Sequence, residues 1–228
     1  MDTTSSDNIL FPGVKLSNWQ MTLSEKMALT GILSRLKPRG ALEVGVYHGG
    51  SLTLAAPFCE RILAIDIDPD VPQRFNVPTN AEIIIAPSSE SIPAAIRKLD
   101  DLGLPLNYVL IDADHSAAGV QQDIERVLAY HPHEHMALLV HDSGNPECRR
   151  GMLAADWASN PYVQWVELDI VPGQIIEHTV ASGKPEVWGG LAMAWLSPQR
   201  RTGALHIGQG SGTSIRAVNE FAQAAASR

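Results

Sequence analysis

Apolar positions in this chain follow two rhythms, one helical and one strand-like, and the two alternate. Within 22–36, Leu23, Met27, Leu29, Leu33 and Leu36 recur near helical spacing, Thr22 or Ser24 can cap the segment, and Pro38-Arg39-Gly40 stops it. This predicts an amphipathic helix covering a sheet. Short, almost continuous apolar runs follow at 41–46, 61–67, 81–86, 107–111 and 136–140. A strand covered on both faces buries every side chain, so such runs predict buried parallel strands. Segments 51–58, 91–99 and 119–130 lie between them and read as helices. The alternation predicts an α/β fold whose mostly parallel sheet carries helices on both faces.

From Tyr162 the rhythm changes. Runs 163–171 and 188–196 are β-rich and joined by a polar connector, which predicts an antiparallel pair finishing the sheet. Segment 203–212, with glycines at 203, 208, 210 and 212, reads as a flexible connector before a short helix over 214–226. The chain thus divides into an N-terminal helix and lid (1–40), an α/β core (41–200) and a connector with a C-terminal helix (201–228).

A length of 228 residues suits one α/β domain. No apolar run approaches the roughly 20 residues that cross a bilayer, and 1–8 is polar and acidic rather than a secretory signal. A cytoplasmic protein without a membrane partner is expected. A formal charge of −8, with no basic cluster, excludes a nucleic-acid backbone as partner. Cys59 and Cys148 lack metal-binding spacing and read as reduced thiols.

Ligands on parallel sheets bind beyond the carboxyl ends of the strands. Glu43, Asp66, Ser88, Asp112 and Asp142 fall at or just past such ends. The stretch 43–51, Glu-Val-Gly-Val-Tyr-His-Gly-Gly-Ser, joins a strand to a helix, and Gly45 and Gly49 let backbone N–H groups approach a ligand. Its spacing departs from the Gly-x-Gly-x-x-Gly turn that cradles a pyrophosphate. A carboxylate here repels pyrophosphate and attracts a cation. S-adenosylmethionine, which carries an ammonium and a sulfonium, therefore suits the turn better than NAD does; a glycine turn closing an ordinary βα unit reads alike.

These residues resemble class I S-adenosylmethionine-dependent methyltransferases, in the branch of catechol and caffeoyl-CoA type O-methyltransferases. The resemblance covers 41–142 and implies a Rossmann-like, doubly wound fold with a mostly parallel seven-stranded sheet and an antiparallel last strand. It implies that Glu43, Gly45, Gly49, Ser51 and Asp112 hold the donor, that Asp66 holds its ribose hydroxyls, and that the turn Ala86-Pro87-Ser88-Ser89 contacts adenine. The run Asp112-Ala113-Asp114-His115 resembles the Asp-Ala-Asp-Lys or Asp-Ala-Asp-His run of the branch. It places Asp112 on a divalent cation, Mg²⁺ or another, and His115 where the catalytic base stands. The branch carries Asp-Asn where this chain has Asp142-Ser143, so the implied ligands are Asp112, Asp142 and Ser143.

Methyl transfer from a sulfonium is an in-line displacement that needs a positioned, deprotonated acceptor oxygen. A cation, a base or both can activate a hydroxyl. The expected activity is O-methylation of a small hydroxylated acceptor with metal assistance; a hydroxylase-like member of the fold and a cofactor-binding protein without turnover are the alternatives. A homodimer is open. His115, with a reference pKa near 6.5, is the candidate base or a surface histidine on the next helix. His141 is an alternative base or orients Asp142. Asp114 reads as a helix cap, Asp68 and Asp70 as turn residues, and His131, His133 and His135 as a solvated turn. Trp157 and Trp188 are candidate substrate walls, Trp165 and Trp195 core, and Trp19 and Met21 a lid.

Overall fold

The computed structural model describes residues 19–176 and 186–210. The chain divides into two compact units, Met1–Asn107 and Tyr108–Arg228. The helix expected over 214–226 lies outside the described residues.

In the first unit, helix α1 (Leu23–Leu36) opens on a capping box, in which Thr22 accepts from the Glu25 N–H and the Glu25 carboxylate accepts from the Thr22 N–H. Thr22 rather than Ser24 is therefore the cap, and Lys37, in left-handed conformation, closes the helix. The buried face differs from the expected one. Glu25, Lys26, Leu29 and Leu33 are buried, whereas Leu23 and Met27 are 43% and 53% exposed. Positions 26, 29 and 33 form the i, i+3, i+7 stripe that faces the core, and Leu23 and Met27 lie off it.

Strands β1 (Gly40–Val44), β2 (Arg61–Asp66) and β3 (Ala81–Ile85) run parallel in that order, with Leu42 beside Leu63 and Ala64 beside Ile83. Helix α2 (Gly50–Ala55) follows β1 and passes into a single 3₁₀ turn. Helix α3 (Ser88–Asp101) follows β3 and starts three residues earlier than predicted, because Pro87 takes the extended N-cap conformation. Ile92, Ala95, Ile96 and Leu99 form its buried face.

In the second unit, residues 108–111 of β4 (Leu106–Ile111) pair parallel with β5 (Met136–His141), and helix α4 (Ala117–Leu128) connects the two strands. Helix α5 (Pro146–Ala154) has no counterpart in the predicted elements. Its signal was local: Asn145 caps it by accepting from the Glu147 and Cys148 N–H groups, and Pro146 occupies the first turn. Strand β6 (Val163–Val171) is followed by a ribbon of β7 (Gln174–Ile176) and β8 (Glu186–Trp188). Strand β9 (Leu191–Leu196) runs antiparallel to both β5 and β6, as the apolar run predicts. Trp188 belongs instead to the ribbon, since Gly189 and Gly190, at φ 69° and 90°, break the run. Strand β10 (His206–Gly208) pairs parallel with β6, so the predicted connector contains an edge strand. The α/β architecture, mostly parallel with an antiparallel strand near its end, agrees with the sequence reading.

Candidate active site

The first unit builds a turn in which side chains are absent where the backbone needs room. Gly45, at φ 88°, follows β1 directly, and its N–H donates to the Ile65 carbonyl at 2.8 Å. Gly49, at φ 72°, precedes α2, and a Cβ there would lie 2.4 Å from the Phe75 ring. Gly50 lies under Trp19, whose ring would be 2.3 Å from a Cβ. Trp19 and Met21, expected in a lid, are buried, and the Trp19 indole seats against the start of α2.

Two acids pin this turn. Glu43 is buried on β1 and accepts from Ser51 Oγ at 2.7 Å, which ties the strand to the first turn of α2. Asp66 accepts from the Val46 and Tyr47 N–H groups through Oδ2, at 2.8 and 3.1 Å, and from the Asp68 N–H through Oδ1 at 2.9 Å. Its carboxylate thus clamps the glycine turn and keeps one acceptor position free of these three bonds. Asp68 behaves as the turn residue expected: the Asp70 N–H and Arg74 hold its carboxyl below the usual range. Ser88 and Ser89 sit in the first turn of α3 rather than in a loop before it. At or just past the ends of these three adjacent strands, Tyr47, Ile67 and Ile85 are 55%, 73% and 39% exposed, and the Arg74 guanidinium lies 5.9 Å from the Tyr47 ring centroid.

The second unit gathers acids and imidazoles. His115 Nε2 lies 3.0 Å from Asp142 Oδ2 and 3.7 Å from Asp112 Oδ1. His141 Nδ1 lies 3.2 Å from Asp112 Oδ1 and 3.3 Å from Asp142 Oδ2. Asp142 Oδ1 also accepts from the Gly189 N–H at 2.6 Å. One ligand atom from each of Asp112, His115 and Asp142 falls within 4.8 Å of the other two, among the described residues. Burial pushes the Asp112 carboxyl up, but the charge of His141 and the bonds from both imidazoles outweigh it and hold the group at about 2. Burial likewise opposes ionisation of Asp142, and bonds from His115 and His141 hold it below the usual carboxylate range.

The same contacts act on His115. The carboxylates of Asp112 and Asp142 raise its imidazole to about 10, so the two bare acids favour its protonated form. Nothing in the sequence around His115 reveals this, because Asp142 arrives from another strand. His141, whose role the sequence left open, bridges both acids. Next to them, the Ser143 N–H donates to the Gly190 carbonyl at 3.4 Å, and its buried hydroxyl makes no hydrogen bond among the described residues. The cap of α4 is Ser116, which accepts from the Gly119 N–H at 3.1 Å, while Asp114 braces the turn by accepting from the Ser116 N–H at 2.8 Å.

Of the aromatic candidates, Trp188 borders this cluster, with its ring edge-to-face on His115 at 5.4 Å and its Nε1 donating to Glu186 at 2.8 Å. Trp157 is core, and its Nε1 donates to the Met152 carbonyl at 2.7 Å. His131 stacks on Tyr162 at 4.1 Å and His135 on Trp195 at 5.3 Å, so this histidine run engages aromatic rings. No helix among the described residues is long and apolar enough to cross a membrane.

The sequence model of the rhamnosyl O-methyltransferase/CmcI family matches residues 7–144. No curated protein matches the chain. Among solved structures, cofactor-bound Rv0187 from MTB is 17% identical, with 82% of this chain and 85% of that one covered at a TM-score of 0.54. The O-methyltransferase from Bacillus cereus in complex with SAH is 14% identical, with 78% and 82% covered and a TM-score of 0.54. The O-methyltransferase TomG from Streptomyces achromogenes, involved in tomaymycin synthesis and solved with SAM, is 15% identical, with 78% and 81% covered and a TM-score of 0.54. At these identities the likeness shows a shared fold.

Proposed function

Because the chain belongs to the rhamnosyl O-methyltransferase/CmcI family and is a class I S-adenosylmethionine-dependent methyltransferase, we propose that it methylates a hydroxyl of a small metabolite with the help of a divalent cation. The observation that carries this reading is the convergence of Asp112, His115 and Asp142. Two ionised carboxylates with an imidazole form a hard, mostly oxygen donor set that suits Mg²⁺ or Mn²⁺.

The first unit supplies the donor's holders. Buried Glu43 offers negative charge to an ammonium and sulfonium, the Gly45 and Gly49 backbone admits close approach, and Ser51 fixes the acid that faces them. Asp66 has acceptor capacity for a ribose hydroxyl, and exposed Ile67 and Ile85, at the ends of the next strands, offer apolar surface for an adenine face. Ser88 and Ser89 add polar groups in the first turn of α3. When bound, the donor supplies an electrophilic methyl group and the cation lowers the pKa of an acceptor hydroxyl.

The remaining work falls to side chains of the second unit. Asp112 and Asp142 hold positive charge at one point, and His141 orients both. His115 keeps its proton on Nε2 only while both acids stand unneutralised, so its basicity depends on what occupies them. Trp188 limits how the His115 ring can turn. The charge of −8 supports a small acceptor rather than a nucleic acid.

Mass analysis of products from candidate polyols and phenols tests the reaction type. A product heavier by one methyl group supports it, and one heavier by an oxygen atom would replace it with the hydroxylase-like alternative. Chelation followed by Mg²⁺ addition tests the cation: turnover should vanish and return, and turnover undiminished after chelation removes the cation from the proposal.

A further inference from the structure

Asp142 carries both its carboxylate at the cluster and a backbone that an aspartate rarely adopts. Its φ is +56°, in the left-handed region. Such a conformation persists only where the surroundings over-determine it.

Two clamps hold it. On one side the ribbon's end supplies backbone: Gly189 N–H donates to Asp142 Oδ1 at 2.6 Å, Gly144 N–H donates to the Gly189 carbonyl at 2.9 Å, and Ser143 N–H donates to the Gly190 carbonyl at 3.4 Å. On the other side stands Arg149, from the first half of α5. Its Nη1 donates to the Ser143 carbonyl at 3.1 Å. Nη1 and Nη2 also donate to Asp169 Oδ1 and Oδ2 at 2.8 and 3.0 Å. Both partners are buried, with side chains 9% and 1% exposed.

A buried ion pair is poor evidence of stabilisation, because desolvation offsets the attraction. This pair has a geometric consequence instead. Asp169 fixes the plane of the guanidinium by a two-pronged bond, and the fixed plane aims the remaining Nη1 hydrogen at the carbonyl of Ser143, in the second peptide after Asp142. The Ser143 hydroxyl makes no hydrogen bond that could substitute. Nor is there room to relax, since a Cβ on Gly190 would lie 2.7 Å from Ser143 Oγ and 2.9 Å from the Gly173 nitrogen. Without Arg149 the Ser143 carbonyl loses its buried donor, and the bend that begins at Asp142 is left with the Gly189 and Gly190 bonds alone.

We infer that Arg149, oriented by Asp169 and bonded to the Ser143 carbonyl, is a positioning residue that holds the Asp142 carboxylate in place for a divalent cation. The inference rests on the cation site proposed above. It assigns no contact with substrate to Arg149.

The test uses the full chain and compares wild type with Arg149→Met, Arg149→Lys and Met152→Ala, the last a buried core position on α5 that serves as a stability control. Mn²⁺ affinity is read by water-proton relaxation, S-adenosylhomocysteine affinity by calorimetry, and folding by thermal melting. Arg149→Met should weaken Mn²⁺ binding by roughly tenfold or more, as loss of a group that orients a ligand does. Homocysteine-cofactor binding should stay within about twofold. Arg149→Lys should recover part of the loss if the methionine variant folds poorly. Met152→Ala should melt earlier yet bind Mn²⁺ as wild type does. Unchanged Mn²⁺ affinity in both Arg149 variants, or an equal loss in Met152→Ala, overturns the inference. If wild type binds no Mn²⁺, the cation reading fails, and the Gly189 amide decides the inference alone. Its resonance should shift and exchange faster in the Arg149 variants but not in Met152→Ala, and an unchanged resonance overturns it.

Discussion

The glycine turn after β1 and the acid loop after β5 solve one backbone problem in opposite ways. Both leave a parallel strand through left-handed residues, Gly45 and Gly49 at φ 88° and 72° in one and Asp142 at φ 56° in the other. The glycine turn removes the Cβ at Gly45 and Gly49 and keeps one left-handed side chain, Tyr47 at φ 52°, which is anchored only through its N–H, by Asp66. The acid loop keeps a carboxylate on left-handed backbone and anchors the carboxylate itself, with Gly189 N–H bonded to Asp142 Oδ1 and Arg149 bonded to the next carbonyl. One bend leaves its left-handed side chain free to face outward; the other ties it down with groups from distant segments.

The largest effect that separates the regions is on transfer itself. Asp142→Asn keeps the shape and removes the charge, so methyl transfer should fall roughly a hundredfold to a thousandfold, as loss of one electrostatic group at a reacting centre does. Binding of S-adenosylhomocysteine, assigned to the other region, should be unaffected in calorimetry. Loss of cofactor binding in this variant would break the division of labour.

A smaller effect, read as stability, sharpens the contrast between the glycines. Alanine at Gly190 meets backbone atoms, the Gly173 nitrogen at 2.9 Å and the Gly144 nitrogen at 3.0 Å, at φ +90°. At Gly49, φ +72°, the three atoms nearest an added Cβ all belong to the Phe75 ring, at 2.4 to 2.5 Å. Rings turn more readily than packed backbone, so Gly190→Ala should cost about 3 kcal/mol and Gly49→Ala about 1–2 kcal/mol in urea unfolding. Equal costs would mean that the ribbon end yields as easily as the Phe75 ring.

This difference also explains what the sequence made legible. The turn 43–51 and Asp66 lie in one βαβ unit, so apolar runs and two glycines suffice to bring Glu43, Ser51 and Asp66 to one strand-end turn, where Ser51 bonds to Glu43 and Asp66 to the Val46 N–H. Asp112 and Asp142 were legible as strand ends. Their supports were not: Arg149, Asp169, Gly189 and the shift of His115 depend on chain segments whose contacts no local period encodes. For Asp66 the sequence suggests a ligand contact alone, and the structure adds that its carboxylate clamps the turn. Asp66→Asn should therefore weaken S-adenosylhomocysteine binding about tenfold and lower stability by about 1 kcal/mol, because a neutral amide accepts two N–H bonds less strongly. A binding loss without any stability loss would assign Asp66 to the ligand alone.

Acid–base behaviour gives a next, milder test in cation-free protein. His115 is raised to about 10 in the folded state, above its reference value of about 6.5. Its stabilising contribution is therefore full below about pH 6.5 and lost as pH rises through about 10. Asp112, lowered to about 2, contributes above its unfolded value and loses that contribution as pH falls toward 2. Urea midpoints should decline on the alkaline side in wild type and less in His115→Gln. A matching decline in both would show that the imidazolium does not stabilise the acid loop.

The smallest effect is chemical, and it places one reporter in each region. Cys59 is raised to about 12 by burial and then by Glu43. Cys148 is raised to about 12 by burial and then by Asp142 and Asp112, and its thiol donates to the His115 carbonyl at 3.6 Å. A thiol reacts through its thiolate, so neither should be alkylated by iodoacetamide near pH 8 in the native state, and both should react once denatured. Since Cys148 lies one residue before Arg149, Arg149→Met should expose Cys148 to alkylation while Cys59 stays inert, as peptide mapping would reveal. Labelling of both thiols in that variant would mean that loosening the acid loop also loosens the glycine turn, and that the two regions do not hold themselves independently.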